Sequence, residues 1–349
     1  MTSPDAAPIR VGVIGCGVIA YWVHLRLLQK MKNVKLVVAS DPEPAARERA
    51  ARIAPVPIVE RAEEILADPA VDAVVICAPT HLHADLAASA LEAGKHVFVE
   101  KPIATNAHDS QRLLAIAQRS SLSAMVGFNR RLHPLFEQAR RLIASGAIGA
   151  VHAVQSANCE PMIVEGMSEW RRRRETGGGV LLDLASHHVD LARWFLDDEV
   201  ESVECSLASR ETEDDTATLS LSMRKGAAIQ SFFSFRTARA DYLQFICERG
   251  TLLIDRHQPK FTVRVARRLG YGTRRQLVMP DAPVALWRAQ RLARPSKEPS
   301  YQRALAAFAD SIRGGPGKVA SMADGARSLE VILAAEDSAR SRTQIRLPT

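Results

Sequence analysis

The sequence predicts two domains of different class: an α/β N-terminal domain on a doubly wound parallel sheet, and an α+β C-terminal domain with a large, mainly antiparallel open sheet. Three observations carry this. Residues 10–102 alternate short apolar runs with helical stretches; the first run ends in a glycine-rich turn; and beyond residue 150 period-two runs replace the helices. A length of 349 residues also exceeds what one core usually serves.

The first run, "RVGVIG" (10–15), leads into a helical stretch at 18–30, then "VKLVVASD" (34–41) and an alanine-rich helix at 44–52. That is a βαβ unit. "PIV" (57–59), a helix at 62–67, "DAVVICAP" (72–79), a helix at 83–93 and "HVFVEKP" (96–102) continue it. Uninterrupted apolar strands separated by helices mean parallel pairing with both faces covered. After "SAMVGFNRR" (123–131) and a helix at 132–145 the pattern changes. "AVHAVQSAN", "VESVECSLAS", "TATLSLSMR", "AIQSFFSF" and "YLQFICERGTLLID" alternate with a period of two and have few helices between them. Helices at 301–313 and 322–340 are expected to pack back onto the first domain. The boundary is drawn at 1–128 and 129–349.

Composition excludes several classes. With 47% hydrophobic residues the chain can bury substantial cores, yet no uninterrupted apolar run reaches membrane-spanning length. "MTSPDAAPIR" lacks the basic and apolar regions of a signal peptide, so a soluble cytoplasmic protein is expected. Five dispersed cysteines without a C-x-x-C indicate neither a disulfide framework nor a cysteine zinc site. The formal charge of +7 invites a nucleic-acid reading, but the basic residues are scattered among acids except in "RRRR" (171–174) and "RVARRLGYGTRR" (264–275). No recognition motif or aromatic interleaving accompanies them, so nucleic acid is not expected as a partner.

Gly15-Cys16-Gly17-Val18-Ile19-Ala20 fits G-x-G-x-x-A, placed after a strand and at the opening of a helix. Gly15 serves the tight turn, Gly17 lets a pyrophosphate approach the backbone, and Ala20 allows close packing of helix on sheet. The second strand ends at Asp41, the spacing at which an acid accepts from the adenosine ribose hydroxyls. The first domain is therefore read as a Rossmann domain. A carboxylate repels a 2′-phosphate, so NAD is expected rather than NADP, with Arg47 the one nearby cation able to swing in.

Together with "CAPTHLH" (77–83), Glu100-Lys101-Pro102, "GFNRR" (127–131) and "GGGVLLDLASHHVD" (177–190), the fingerprint makes the chain resemble, over nearly its whole length, the glucose-fructose oxidoreductase / inositol dehydrogenase (Gfo/Idh/MocA) family. The resemblance implies a nicotinamide-dependent dehydrogenase acting on a CH–OH carbon of a cyclitol, sugar or sugar derivative. It also implies a catalytic group at Lys101, Asp183 and His187, and a C-terminal sheet that makes homodimers or homotetramers. Pro79 and His83 would line the cofactor cleft, joined by Glu100, Lys101 and Asn129.

On an α-helix Asp183 and His187 share a face, which Asp190 and Trp194 continue, while His188 turns away to join Leu181, Leu184, Leu191 and Phe195. His187 is assigned to chemistry and His188 to packing. An imidazole suits removal of a hydroxyl proton, and Lys101 could stabilise the developing alkoxide. Arg130, Trp170 and Arg171 are weaker substrate candidates; the arginine run reads equally as a solvated face. His81 and His83 in "THLH" raise a zinc site with His187 and Asp183, but H-x-H without Cys or H-E-x-x-H is a poor signature, and no metal is expected. Two rivals remain: a nucleotide-sugar or uronate oxidoreductase, suggested by the arginines, and a cofactor-binding regulator without turnover.

Overall fold

The computed structural model describes residues 7–161, 167–256, 260–266, 273–276, 282–293, 298–315 and 320–348. It forms two compact units. The first comprises Met1–Asn129, Glu175–Gly177 and Ser300–Leu329, and the second Arg130–Arg174, Gly178–Pro299 and Glu330–Thr349.

The first unit contains strands β1 (Ile9–Ile14), β2 (Val34–Ser40), β3 (Ile58–Val59), β4 (Ala73–Ile76), β5 (His96–Val99) and β6 (Ala124–Val126), interleaved with helices α1 (Leu25–Leu28), α2 (Pro44–Ala51), α3 (Ala62–Ala67), α4 (His83–Glu92) and α5 (Ala107–Arg119). They pair in the order β6-β5-β4-β1-β2-β3, and Ala320–Ser321 adds an antiparallel edge to β6. The order reverses between β1 and β4, so the crevice at the carboxyl ends of those strands is the binding position of a doubly wound sheet. All four residues of β4 are buried, as a strand covered on both faces requires. The helix Ser300–Ile312 packs within this unit, its Phe308 ring 5.7 Å from that of Phe98.

The second unit begins with α6 (Pro134–Ala144), β7 (Val151–Cys159), α7 (Glu169–Arg172) and α8 (Ser186–Leu196). Strands β8 (Val200–Ala208), β9 (Thr216–Met223), β10 (Ala228–Ser234), β11 (Ala240–Cys247), β12 (Gly250–Asp255), β13 (Lys260–Ala266) and β14 (Thr273–Gln276) follow, then α9 (Ala282–Ala293). With Ile345–Arg346 they form a nine-stranded sheet in which only the β7–β10 pair is parallel. Register places Val154, Ile229, Leu219, Leu243, Phe245 and Leu252 on one buried face. The opposite face presents exposed Gln155, Thr218 and Gln230 beside half-buried Phe232, Tyr242, Ile246 and Leu253.

The sequence reading missed α5, α7, β13, β14, α9 and the two short edge strands. The basic run at 264–275 overlaps the end of β13 and most of β14, while 267–272 lie outside the described residues, as do residues 1–6 of the N-terminal segment. β14, Thr-Arg-Arg-Gln, carries no apolar alternation for periodicity to find, whereas in β13 Phe261, Val263 and Val265 do alternate and the stretch was read for its charge alone. Both glycine-led helices also open differently from expectation. Ala20–His24 and Leu181–Ala185 are π turns, each running directly into an α-helix.

Candidate active site

The dinucleotide loop is built around two glycines with opposite surroundings. Gly15 has φ +92°, and a Cβ there would lie 2.7 Å from the Ala78 amide nitrogen, so the turn is pressed onto the segment after β4. At Gly17 a Cβ would meet nothing within 4 Å, which leaves an open cradle of the kind a pyrophosphate needs. Ala20 is fully buried against the unit, whereas Val18 is exposed. The Asp41 carboxylate accepts from the Cys16 amide at 2.7 Å and the Glu43 amide at 2.9 Å, which pins it beside the loop. Arg47 donates to the Asp41 and Pro42 carbonyls, both at 2.8 Å. These residues fit an NAD. Burial, reinforced by Asp41, pushes the Cys16 thiol up to about 12, so the loop holds no reactive thiolate.

At the end of β5, Glu100 is buried and its carboxylate accepts from His24 Nε2 at 2.7 Å. Lys101 is half-buried and precedes Pro102 through a cis peptide. His83 is buried, with Nδ1 2.7 Å from the Pro102 carbonyl and Nε2 2.8 Å from the Ala78 carbonyl. His83, expected to line the cofactor cleft, turns both ring nitrogens toward backbone carbonyls. Pro79 caps the short 3-10 turn Thr80–Leu82, and His81 is exposed beside the Thr176 carbonyl at 3.2 Å. Asn129 is buried and donates to Ser300 at 2.7 Å.

In the second unit Asp183 sits in the π turn and His187 in the first turn of α8. A π turn holds an extra residue, but four positions still span about one turn, so the two remain neighbours along the helix. Asp190, three positions beyond His187 in the same α-helix, is buried in a two-pronged ion pair with Arg131, at 2.9 and 2.5 Å. Asp183 accepts from Arg171 at 2.7 Å, and Arg171 lies 5.6 Å from the Trp170 ring. Arg174 pairs with Glu336 at 2.8 Å, whereas Arg173 is exposed and pairs with the exposed Glu169.

His188 is buried edge-on to Phe233, as packing requires, but its surroundings are polar rather than apolar. Its Nδ1 lies 2.9 Å from Ser156 Oγ and its Nε2 3.4 Å from Asp241. Asp241 also pairs with Arg130 at 3.2 Å and Arg256 at 2.6 Å. Burial would raise the Asp241 carboxyl, but Arg130, Arg256 and His188 together hold it well below the usual range. Burial pushes His188 down against the opposing pull of Asp241. Arg130, expected near the substrate, is thus committed to a buried ion pair. No cluster of metal-ligating residues occurs among the described residues, nor a helix long and apolar enough to cross a membrane.

The sequence model of the GFO/IDH/MocA oxidoreductases, described as an NAD-binding Rossmann fold, matches residues 9–128, and the GFO/IDH/MocA C-terminal domain matches 136–253. The chain belongs to this family. It is 31% identical to dTDP-3,4-didehydro-2,6-dideoxy-alpha-D-glucose 3-reductase of Actinomadura kijaniata, over 72% of this chain and 76% of that protein. It is 30% identical to myo-inositol 2-dehydrogenase of Thermotoga maritima over 63% of this chain. That match spans 66% of the Thermotoga protein, just under two thirds of its length. The crystal structure of a putative myo-inositol dehydrogenase from Sinorhizobium meliloti superimposes with a TM-score of 0.78 at 26% identity, covering 97% of this chain and 100% of that one.

Within this GFO/IDH/MocA chain, Lys101 belongs to the first unit and Asp183 and His187 to the second. Sequence reasoning missed His24, Arg131, Asp241 and Arg256. His24 and Glu100 are 76 positions apart, and His188 and Asp241 are 53 apart, separations at which no local pattern signals a contact.

Proposed function

We propose that the protein is an NAD-dependent oxidoreductase that transfers hydride between the nicotinamide and a secondary carbinol of a cyclitol, sugar or sugar derivative. The observation that carries this reading is Asp183, held by Arg171 at 2.7 Å, one turn ahead of His187, in a chain whose first unit is an NAD-binding fold. Bound NAD supplies the hydride acceptor. His187 takes the hydroxyl proton, a task for which an imidazole is the natural side chain at neutral pH. Asp183, fixed by its guanidinium partner, orients a substrate hydroxyl. Lys101 donates to the reacting oxygen and stabilises its developing charge. Asp41 favours NAD over NADP by accepting from the ribose diol, and Arg47 is tied to backbone carbonyls rather than offered to a 2′-phosphate.

A second substrate class, nucleotide-linked deoxysugars, is favoured by the 31% identical relative named as a dTDP-sugar reductase. The open face of the nine-stranded sheet, with half-buried Phe232, Tyr242, Ile246 and Leu253, supports a homodimer or homotetramer. The deciding experiment follows reduced-nicotinamide absorbance in both directions with inositols, free sugars, uronates and nucleotide sugars. Turnover on a polyol or free sugar supports the first reading, and turnover confined to nucleotide sugars the second. Tight NAD binding with no turnover on any of them would refute the enzyme and leave a cofactor-binding regulator.

A further inference from the structure

Two buried histidines bracket Lys101. His24, fully buried, lies at the end of the π turn that follows the dinucleotide loop and meets the Glu100 carboxylate at 2.7 Å. His83, at 2% exposure, meets the Pro102 carbonyl at 2.7 Å. The residue before Lys101 is thus gripped through its side chain and the residue after it through its backbone.

The His24 tautomer follows from its neighbours. A carboxylate only accepts, so Nε2 carries the proton donated to Glu100, while Nδ1 is buried with no hydrogen-bond partner among the described residues. The ring is wedged between Phe98, 5.9 Å away, and Tyr301, 6.0 Å away and edge-on, which leaves it little rotational freedom. On the far side of the carboxylate, a Cβ at Gly127 would lie 3.0 Å from Glu100 Oε2, so this glycine lets the β6 end close over Glu100. The His83 ring lies between the Pro102 carbonyl and the Ala78 carbonyl, 2.8 Å away, with its N–H donating to one of them, and so packs the Lys101 segment against the same stretch on which the Gly15 turn is pressed. Both histidines therefore link the Lys101 segment to the elements that carry the glycine loop.

We propose that His24 and His83 are positioning residues for Lys101, holding Glu100 and Pro102 so that the glycine-loop elements set the place of the lysine between them. This rests on the reading of Lys101 as the ammonium at the reacting oxygen. A 1 Å error in such a group is costly to a reaction that depends on orientation, so restraint of the residues on either side of the lysine bears on its placement.

The test compares the reactivity of Lys101 with that of exposed Lys35 toward dilute acetic anhydride, read by peptide mass spectrometry well below the melting temperature, alongside NADH titration by fluorescence. The variants are His24→Asn, whose amide is too short to reach Glu100; His24→Gln, whose terminal nitrogen reproduces the Nε2 position; and His83→Leu. His24→Asn and His83→Leu should raise the Lys101:Lys35 ratio severalfold, and His24→Gln should return it to the parental value. If His83→Leu does not fold, the His24 pair decides alone, because both its members stay polar. A parental ratio in His24→Asn and His83→Leu, with only the melting temperature lowered, would assign the histidines to the fold and overturn the proposal. Lys101→Ala in the turnover panel separates the underlying reading. Full activity there removes Lys101 from the chemistry whatever the labelling shows, whereas lost activity with unchanged labelling overturns the positioning role alone.

Discussion

Replacing His188 by alanine separates the adjacent histidines, and its cost can be worked out from the contacts. The ring is 3% exposed, lies 5.4 Å from Phe233 and hydrogen-bonds Ser156 at 2.9 Å. Truncation removes these, but Ser156 keeps Ser231 at 2.8 Å, and Asp241 keeps Arg130 at 3.2 Å and Arg256 at 2.6 Å. No charge is left without a partner. The loss is then a cavity plus one hydrogen bond, roughly 3 kcal/mol. For a unit of this size that corresponds to a fall in Tm of roughly 6–12 °C. Asp241→Asn should cost more, about 3–5 kcal/mol, because the buried Arg130 guanidinium loses a counter-charge, while half-buried Arg256 keeps Glu298 at 3.2 Å. His187→Ala should lower hydride transfer by about 10²- to 10⁴-fold with Tm nearly unchanged. Scanning calorimetry and single-turnover absorbance on the three variants check this. If His188→Ala kept its Tm, or abolished turnover in a stable protein while His187→Ala did not, the assignment of the two rings would be reversed.

Gly17→Val should leave Tm within about 1–2 °C, since its Cβ meets nothing, yet weaken NADH binding more than tenfold by filling the cradle; a fluorescence titration reads this. Asp41→Ala should narrow the preference for NAD over NADP, measured by calorimetric titration with each, and an unchanged preference would remove Asp41 from the discrimination. Burial holds His83, His96 and His188 below the ordinary 6.5, so the unfolded chain takes up protons first and stability falls as pH drops below that value. Asp241 is likewise held below its ordinary value: its stabilisation is present above the usual carboxylate value of 3.8 and is lost only as pH falls further, so Tm against pH should fall in two separate stages. Light scattering should find a dimer or tetramer; a monomer at micromolar concentration would leave the open sheet face without its cover.

Much of this was legible in the chain itself because it is local. The G-x-G-x-x-A turn, the acid at the end of β2 and the alternation of apolar strands with helices each lie within a few tens of residues, where spacing alone specifies geometry. The placing of His187 beside Asp183 belongs here too, since four positions make about one turn of an α or a π helix. Tertiary structure decided what depends on partners distant in sequence. His188 and Leu184 are equivalent on a helical wheel, and only the arrival of β7 and β11 beside the ring makes one position polar. Arg130 and Arg171 are both arginines near a motif; one is consumed by Asp241 and the other by Asp183. His24 gave no local signal, because its partner lies 76 residues away and only the parallel sheet brings the ends of β1 and β5 side by side around β4. Periodicity reports which face of an element is apolar, whereas the pairing of buried charges is set by which elements meet, and that is a property of the packed chain.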